Sequence, residues 1–220
     1  MAPLGAATPA LAQPAEVDAL LVLAVDASGS IDPDEFQLQR EGYAEALSHP
    51  AVLAAIAGKP RGAIGVAMVE WGSPGGAATV VDWMRVADAA GAQALAAAVL
   101  AAPRSPQSWN AIGDALAHCT RLIAAAPFRA TERVIDLSGD GPDLRSLVAA
   151  ATARDAAVAA GITINALAVA AAGQVTRFGE PLAETYRREV IGGSGAFVVS
   201  AEDRRDIARA LRAKLVREIA

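Results

Sequence analysis

Residues Leu20 to Ser30 read LLVLAVDASGS: an apolar run that stops at Asp26 and places one carboxylate and two hydroxyls, Asp26, Ser28 and Ser30, at alternate positions. A Leu/Val run bounded by Asp and Gly reads as a strand buried on both faces, the kind found in the middle of a parallel sheet covered by helices. Open parallel sheets bind their ligands in the crevice at the carboxyl ends of the strands. The three oxygen-bearing side chains therefore gather where such a sheet would hold a site.

Working outward, Ile31-Asp32-Pro33-Asp34-Glu35 spells a helix start, with Asp32 as cap, Pro33 at the first helical position and Glu35 completing a capping box. Phe36, Tyr43 and Leu47 then recur at helical spacing up to Pro50, and a short apolar segment, Val52 to Ile56, precedes the Gly58 to Gly62 turn. Strands are expected at Ala63 to Trp71 and Thr79 to Trp83. Only the turn between them is short enough for a hairpin, so the pair is expected to be antiparallel with the second strand near a sheet edge. Asp88 caps a helix that ends near Ala101, and the polar, Pro-containing segment 103–109 is loop. Helix resumes at Asn110, with Ile112, Leu116, Cys119, Leu122 and Ile123 on one face.

A second apolar strand, Arg133 to Leu137, also ends in polar and flexible residues, Ser138-Gly139-Asp140-Gly141-Pro142-Asp143. The pattern then predicts helix over Leu144 to Ala160, strand over Ile162 to Val169, helix around Leu182 to Val190 and strand over Ala196 to Val199. A final helix carries Ile207, Leu211, Leu215 and Ile219 as one stripe. Strands alternating with helices of this length imply an α/β fold: a doubly wound, mostly parallel central sheet with helices on both faces and one antiparallel edge strand.

A chain of 220 residues fits one such domain, taken as residues 17–220 after a leader of residues 1–16. In the leader, Ala10-Leu11-Ala12 has the small-x-small form of a signal-peptidase site, yet no basic start precedes it and Pro9 interrupts its apolar part. It reads either as the tail of a signal peptide, which predicts a periplasmic or secreted protein, or as a disordered Ala/Pro segment of a cytoplasmic one. The net charge of -5 argues against a nucleic-acid partner, since phosphate binding needs a basic patch. The bases near the C-terminus (Arg204, Arg205, Arg209, Arg212, Lys214, Arg217) alternate with acids, as on a solvated helix face. No window reaches the ~18 consecutive apolar residues of a membrane span. The single Cys119 excludes an intrachain disulfide and reads as a buried small hydrophobe.

Two strand ends thus carry oxygen ligands, Asp26, Ser28 and Ser30 on one and Asp140 on the other. Carboxylates and hydroxyls without His or Cys suit a hard cation, Mg2+ first, with Mn2+ or Ca2+ as alternatives. A site with only one or two direct carboxylates stays incompletely neutralised, so it can accept an acidic oxygen from a partner.

The Asp26-x-Ser28-x-Ser30 signature after a first hydrophobic strand, with the Asp140-Gly141 step after a later one, resembles the von Willebrand factor A-like (vWA-like) domain and its metal-ion-dependent adhesion site. The stretches VDASGSID, MVEWG, AIGDAL, RVIDLSGDGPD, GITINALAV and VIGGSGAFV are similar to an uncharacterised bacterial family with that fold, over about residues 17 to 220. The resemblance implies that Ser28 and Ser30 ligate the metal directly and that Asp26 and Asp140 hold it directly or through water. It also implies a further ligand at Asn110, where the family has Thr. Asn is an acceptable hard-cation ligand but also a strong helix cap. Asp114, one turn further, is either a solvated acid or a residue that contacts the metal through water.

The function this implies is a non-enzymatic binding module whose Mg2+ takes an Asp or Glu side chain of a protein partner. The alternatives are a metal-free scaffold with a degenerate site and a metal-dependent hydrolase using Asp26 or Ser28. An enzyme would need an activating base or phosphate-binding cations, and no His stands near the signature. Neither a Gly-Lys-Ser/Thr loop nor GxGxxG follows the first strand. His49 and His118 read as structural, Asp143 as a helix cap and Glu70 as core or surface structure. Trp109, beside the metal loop, is either part of a partner surface or half buried against the domain.

Overall fold

The computed structural model describes residues 14–177, 179–202 and 207–220. Eight strands and seven helices are assigned among them. The sheet is built from β2 (Ala19–Asp26), β3 (Ile64–Trp71), β4 (Ala78–Val86), β6 (Glu132–Gly139), β7 (Thr163–Val169) and β8 (Val198–Ala201), in spatial order β4-β3-β2-β6-β7-β8. All neighbours run parallel except β3 and β4, whose hairpin leaves β4 on the edge as expected. The first strand lies between β3 and β6, so every residue of β2 is buried. Of the leader, residues 1–13 fall outside the described residues. Ala15–Glu16 form β1, which pairs in parallel with β5 (Phe128–Arg129).

Successive side chains of a strand point to opposite faces, and β2 supplies one core from each set. Leu21, Leu23 and Val25 pack under α1 (Pro33–Ser48), α2 (Pro50–Ala57), α3 (Ala89–Ala101) and α7 (Ile207–Ile219). Leu20, Val22 and Ala24 pack against α4 (Ile112–Ala124), α5 (Ala150–Ala159) and α6 (Leu182–Glu189). The fold is therefore α/β with a mostly parallel sheet covered on both faces. The capping box of α1 forms as its sequence predicts: Asp32 accepts from the Glu35 N–H, and the Glu35 carboxylate accepts from the Asp32 N–H. Asp88 caps α3, His49 caps α2, and Cys119 is fully buried on α4.

Three expectations are corrected. The helix predicted from Leu144 begins only at Ala150. Residues 144–149 have helical composition, but their N–H groups are captured elsewhere: Leu144 donates to the Asn110 carbonyl, and Leu147 and Val148 donate to the Asp114 carboxylate. The last strand starts at Val198 rather than Ala196, because the Phe197 N–H is taken by the Asn165 side chain at 3.1 Å. Of the bases read as a solvated face, Lys214 is fully buried, in an ion pair with Asp136 of β6 and another with Glu218. Arg204 and Arg205 fall outside the described residues.

Candidate metal centre

Asp26 is the last residue of β2 and Gly139 the last of the adjacent β6, so their loops emerge side by side. Asp26 is 2 % exposed. Its Oδ1 accepts from the Ser28 N–H at 2.8 Å, and its Oδ2 accepts from the Asp140 N–H at 3.4 Å across the two loops. The Ser30 hydroxyl donates to Asp140 Oδ2 at 3.0 Å and shares a 3.0 Å hydrogen bond with Ser28 Oγ. Either hydroxyl can be the donor in that shared bond. Each hydroxyl oxygen thus keeps a lone pair for a further ligand.

Burial of Asp26 without a counter-charge, and then repulsion from Asp140, push its carboxyl up to about 7. The two carboxylates are held together by the loops against their mutual repulsion. A cation between them would remove that penalty.

The third loop arrives from α4. Asn110 is not the cap of that helix: the cap position is Ala111, with no side-chain hydrogen bond, which removes the alternative role for the Asn amide. Its Oδ1 is instead buried without any hydrogen-bond partner, and its Nδ2 lies 2.4 Å from where a Cβ on Gly141 would stand. A buried, unpaired amide oxygen costs about 1–3 kcal/mol unless something occupies it. Gly141 is thus required by the close approach of Asn110 to the loop that carries Asp140. Gly72 plays the same part at the end of β3, where a Cβ would stand 2.7 Å from the Trp109 carbonyl and 3.1 Å from Ser28 Cα. The loops 26–30, 105–110 and 139–143 therefore converge.

Asp114 is buried rather than solvated. Its carboxylate accepts from the N–H groups of Gly75, Leu147 and Val148, so it ties the loops flanking the site. Asp143 is not the cap residue expected of it, since α5 starts at Ala150 with Ala149 at the cap position; from seven residues upstream it accepts from Ala150 N–H at 3.1 Å and also takes Gly113 N–H of α4. Glu70 is structural: it pairs with the buried Arg40 at 2.6 Å and accepts from Ser105 N–H. His118 shares a hydrogen bond with Thr79 on the surface.

Other side chains build the site without any local signal in the sequence. Arg104 Nη2 donates to the carbonyls of Ala27, Ser28 and Ile31 at 3.1, 3.1 and 2.7 Å, and its guanidinium lies over the Phe36 ring. Gln39 donates to the Asp26 carbonyl. Tyr186 of α6 donates to the Gly141 carbonyl at 2.9 Å, and its hydroxyl is held well above the usual tyrosine range by burial and by the charges of Asp26 and Asp140. Among the described residues no group of three or more His, Cys, Asp or Glu gathers to hold a metal. The site offers two acids, two hydroxyls and one amide, a donor set of hard oxygens. No helix of the described residues is long and apolar enough to cross a membrane.

No curated protein matches the chain. Among solved structures, it is similar to the pilus adhesin SpaC of Lactobacillus rhamnosus GG at 14% identity and a TM-score of 0.67, covering 92% of this chain and 31% of the adhesin. A von Willebrand factor type A protein from Catenulispora acidiphila is similar at 19% identity and a TM-score of 0.61, with coverage of 92% and 43%. Proximal thread matrix protein 1 from the mussel byssus, in a form with a zinc-occupied metal-ion-dependent adhesion site, is similar at 16% identity and a TM-score of 0.60, with coverage of 91% and 46%. The chain thus spans less than half the length of these relatives, and identities this low bear on the fold alone. The fold is vWA-like. A family model described as protein of unknown function (DUF1194) matches residues 16–220, and the chain belongs to that family.

Proposed function

We propose that the chain is a non-enzymatic protein-binding module that uses a divalent cation, Mg2+ in the first instance, to bind an Asp or Glu side chain of a protein partner. The observation that carries this reading is the convergence of a buried Asp26 with Asp140, Ser28 and Ser30, beside an Asn110 amide oxygen that is buried and has no partner within the protein. Ser28 and Ser30 would ligate the cation directly, Asp26 and Asp140 directly or through water, and Asn110 through Oδ1. Asp114 would act by holding the surrounding loops. Where one of the two carboxylates holds the ion only through water, a single direct carboxylate and neutral remaining donors leave the divalent ion incompletely neutralised, which favours a further acidic oxygen from outside. The zinc-occupied adhesion site of the mussel protein, on the same fold, supports cation use.

A periplasmic or secreted location is part of this proposal, supported by the Ala10-Leu11-Ala12 step. Affinity capture from separated cell fractions tests both parts. A partner retained with Mg2+, released by chelator and lost with Asp26→Ala is expected from the extracytoplasmic fraction, where the chain itself should be recovered. Capture that ignores both chelator and Asp26→Ala would overturn the function, and recovery of the chain with cytoplasmic markers would overturn the location.

A further inference from the structure

Large apolar side chains stand in water on the loops that flank the metal centre. Trp109 is 43% exposed, Leu147 76% and Val148 39%. Their backbone does not yield, because the Asp114 carboxylate holds the Leu147 and Val148 N–H groups and the Leu144 N–H is fixed to the Asn110 carbonyl at 2.7 Å. Leu147 and Val148 are therefore held outward on a pinned loop, with Leu147 packed toward Gly75 of the turn that follows β3. Arg145, two residues before Leu147, is a non-glycine residue with φ of 70°. Left-handed backbone at such a residue is unfavourable and persists where surrounding structure imposes it, often at functional sites. Here it lays the guanidinium over the Trp109 ring, 4.6 Å from its centroid. Stacking fixes Arg145 while its edge N–H donors remain able to take a carboxylate in bidentate fashion.

We propose that Trp109, Arg145 and Leu147 form the second half of the docking surface, and that the occupant is a segment of another protein carrying two acids and an apolar residue. One carboxylate completes the cation, the apolar side chain lies on Trp109 and Leu147, and the other acid pairs with Arg145. The proposal rests on the cation reading above. Charge complementarity argues for this occupant: Arg145 presents a positive charge beside Trp109, and a cation with one direct carboxylate presents a second, in a protein whose net charge is -5. Aromatic and Arg side chains in this arrangement are the residue types that dominate interface energies.

The test is selection of a random-peptide phage library on the immobilised full chain in Mg2+. Chelator-eluted peptides should be enriched in an acid next to an apolar residue, with a second acid. Synthetic versions should bind roughly tenfold more weakly to Trp109→Ala and to Leu147→Ser. The second variant alters only an exposed side chain, so a loss there does not reflect misfolding. Arg145→Glu should reverse the preference for the second acid. Chelator-sensitive acidic peptides that bind wild type, Leu147→Ser and Arg145→Glu equally would overturn this surface and leave the cation reading standing. Absence of any chelator-sensitive enrichment would overturn both.

Discussion

Arg104 shows how much of the site depends on a residue outside the ligand set. A single nitrogen of its guanidinium serves the carbonyls of Ala27, Ser28 and Ile31, so the loop carrying Ser28 and Ser30 is shaped by a side chain from the 105–110 side of the site. Hydrogen bonds from a charged donor contribute about 1.5–3 kcal/mol each way between made and broken. Arg104→Ala should therefore weaken Mg2+ affinity by about tenfold, whereas Arg104→Lys, whose ammonium also carries several N–H donors, should recover part of it. Calorimetry on both variants reads this, and equal affinities for wild type and Arg104→Ala would show that the loop keeps its shape unaided. Asp26, Ser28, Ser30 and Asp140 were legible because a strand end and a spacing of two announce convergence. Arg104, Gln39 and Tyr186 were not, since their roles arise from contacts made across more than ten residues of chain.

At the scale of elements, α7 looks like an ordinary amphipathic helix, and its stripe of Ile207, Leu211, Leu215 and Ile219 is buried as its spacing predicts. Beside that stripe, however, Lys214 reaches Asp136 and Glu218 in the interior, with Asn165 donating to Glu218 at 2.9 Å. Periodicity cannot reveal a buried cation, because a Lys flanking an apolar stripe normally extends into water. Two acids share one ammonium, and burial followed by repulsion from Asp136 pushes Glu218 up to about 8. The folded chain thus keeps a proton that the unfolded chain releases near its ordinary value of 4.5, so this group's contribution favours folding less as pH rises from about 4.5 to about 8. Denaturant midpoints should fall across that interval, and Glu218→Gln should flatten the fall. Asp26 contributes in the same direction until a cation binds. An unchanged slope in Glu218→Gln would place the pH dependence elsewhere. The misjudged start of α5 has a related cause: residues 144–149 are compatible with helix, and the buried acid of α4 outbids local propensity for their N–H groups.

For the whole molecule, the alternation of strands and helices was enough to read a mostly parallel sheet with one antiparallel edge, since that order leaves few other ways to bury both faces of each strand. The result is polarised. Strand ends and loops bearing oxygens, an unpaired amide, a stacked Arg and exposed apolar groups share one side of the molecule around β2 and β6, while Lys214 and its acids stiffen the face under α7. Whether this oxygen-rich end holds a divalent cation is decided by titration calorimetry of Mg2+ into the chain. Wild type should bind saturably, and the binding should disappear in Asp26→Ala. Equal absence of heat in both would contradict it and leave a vWA-like scaffold without its metal.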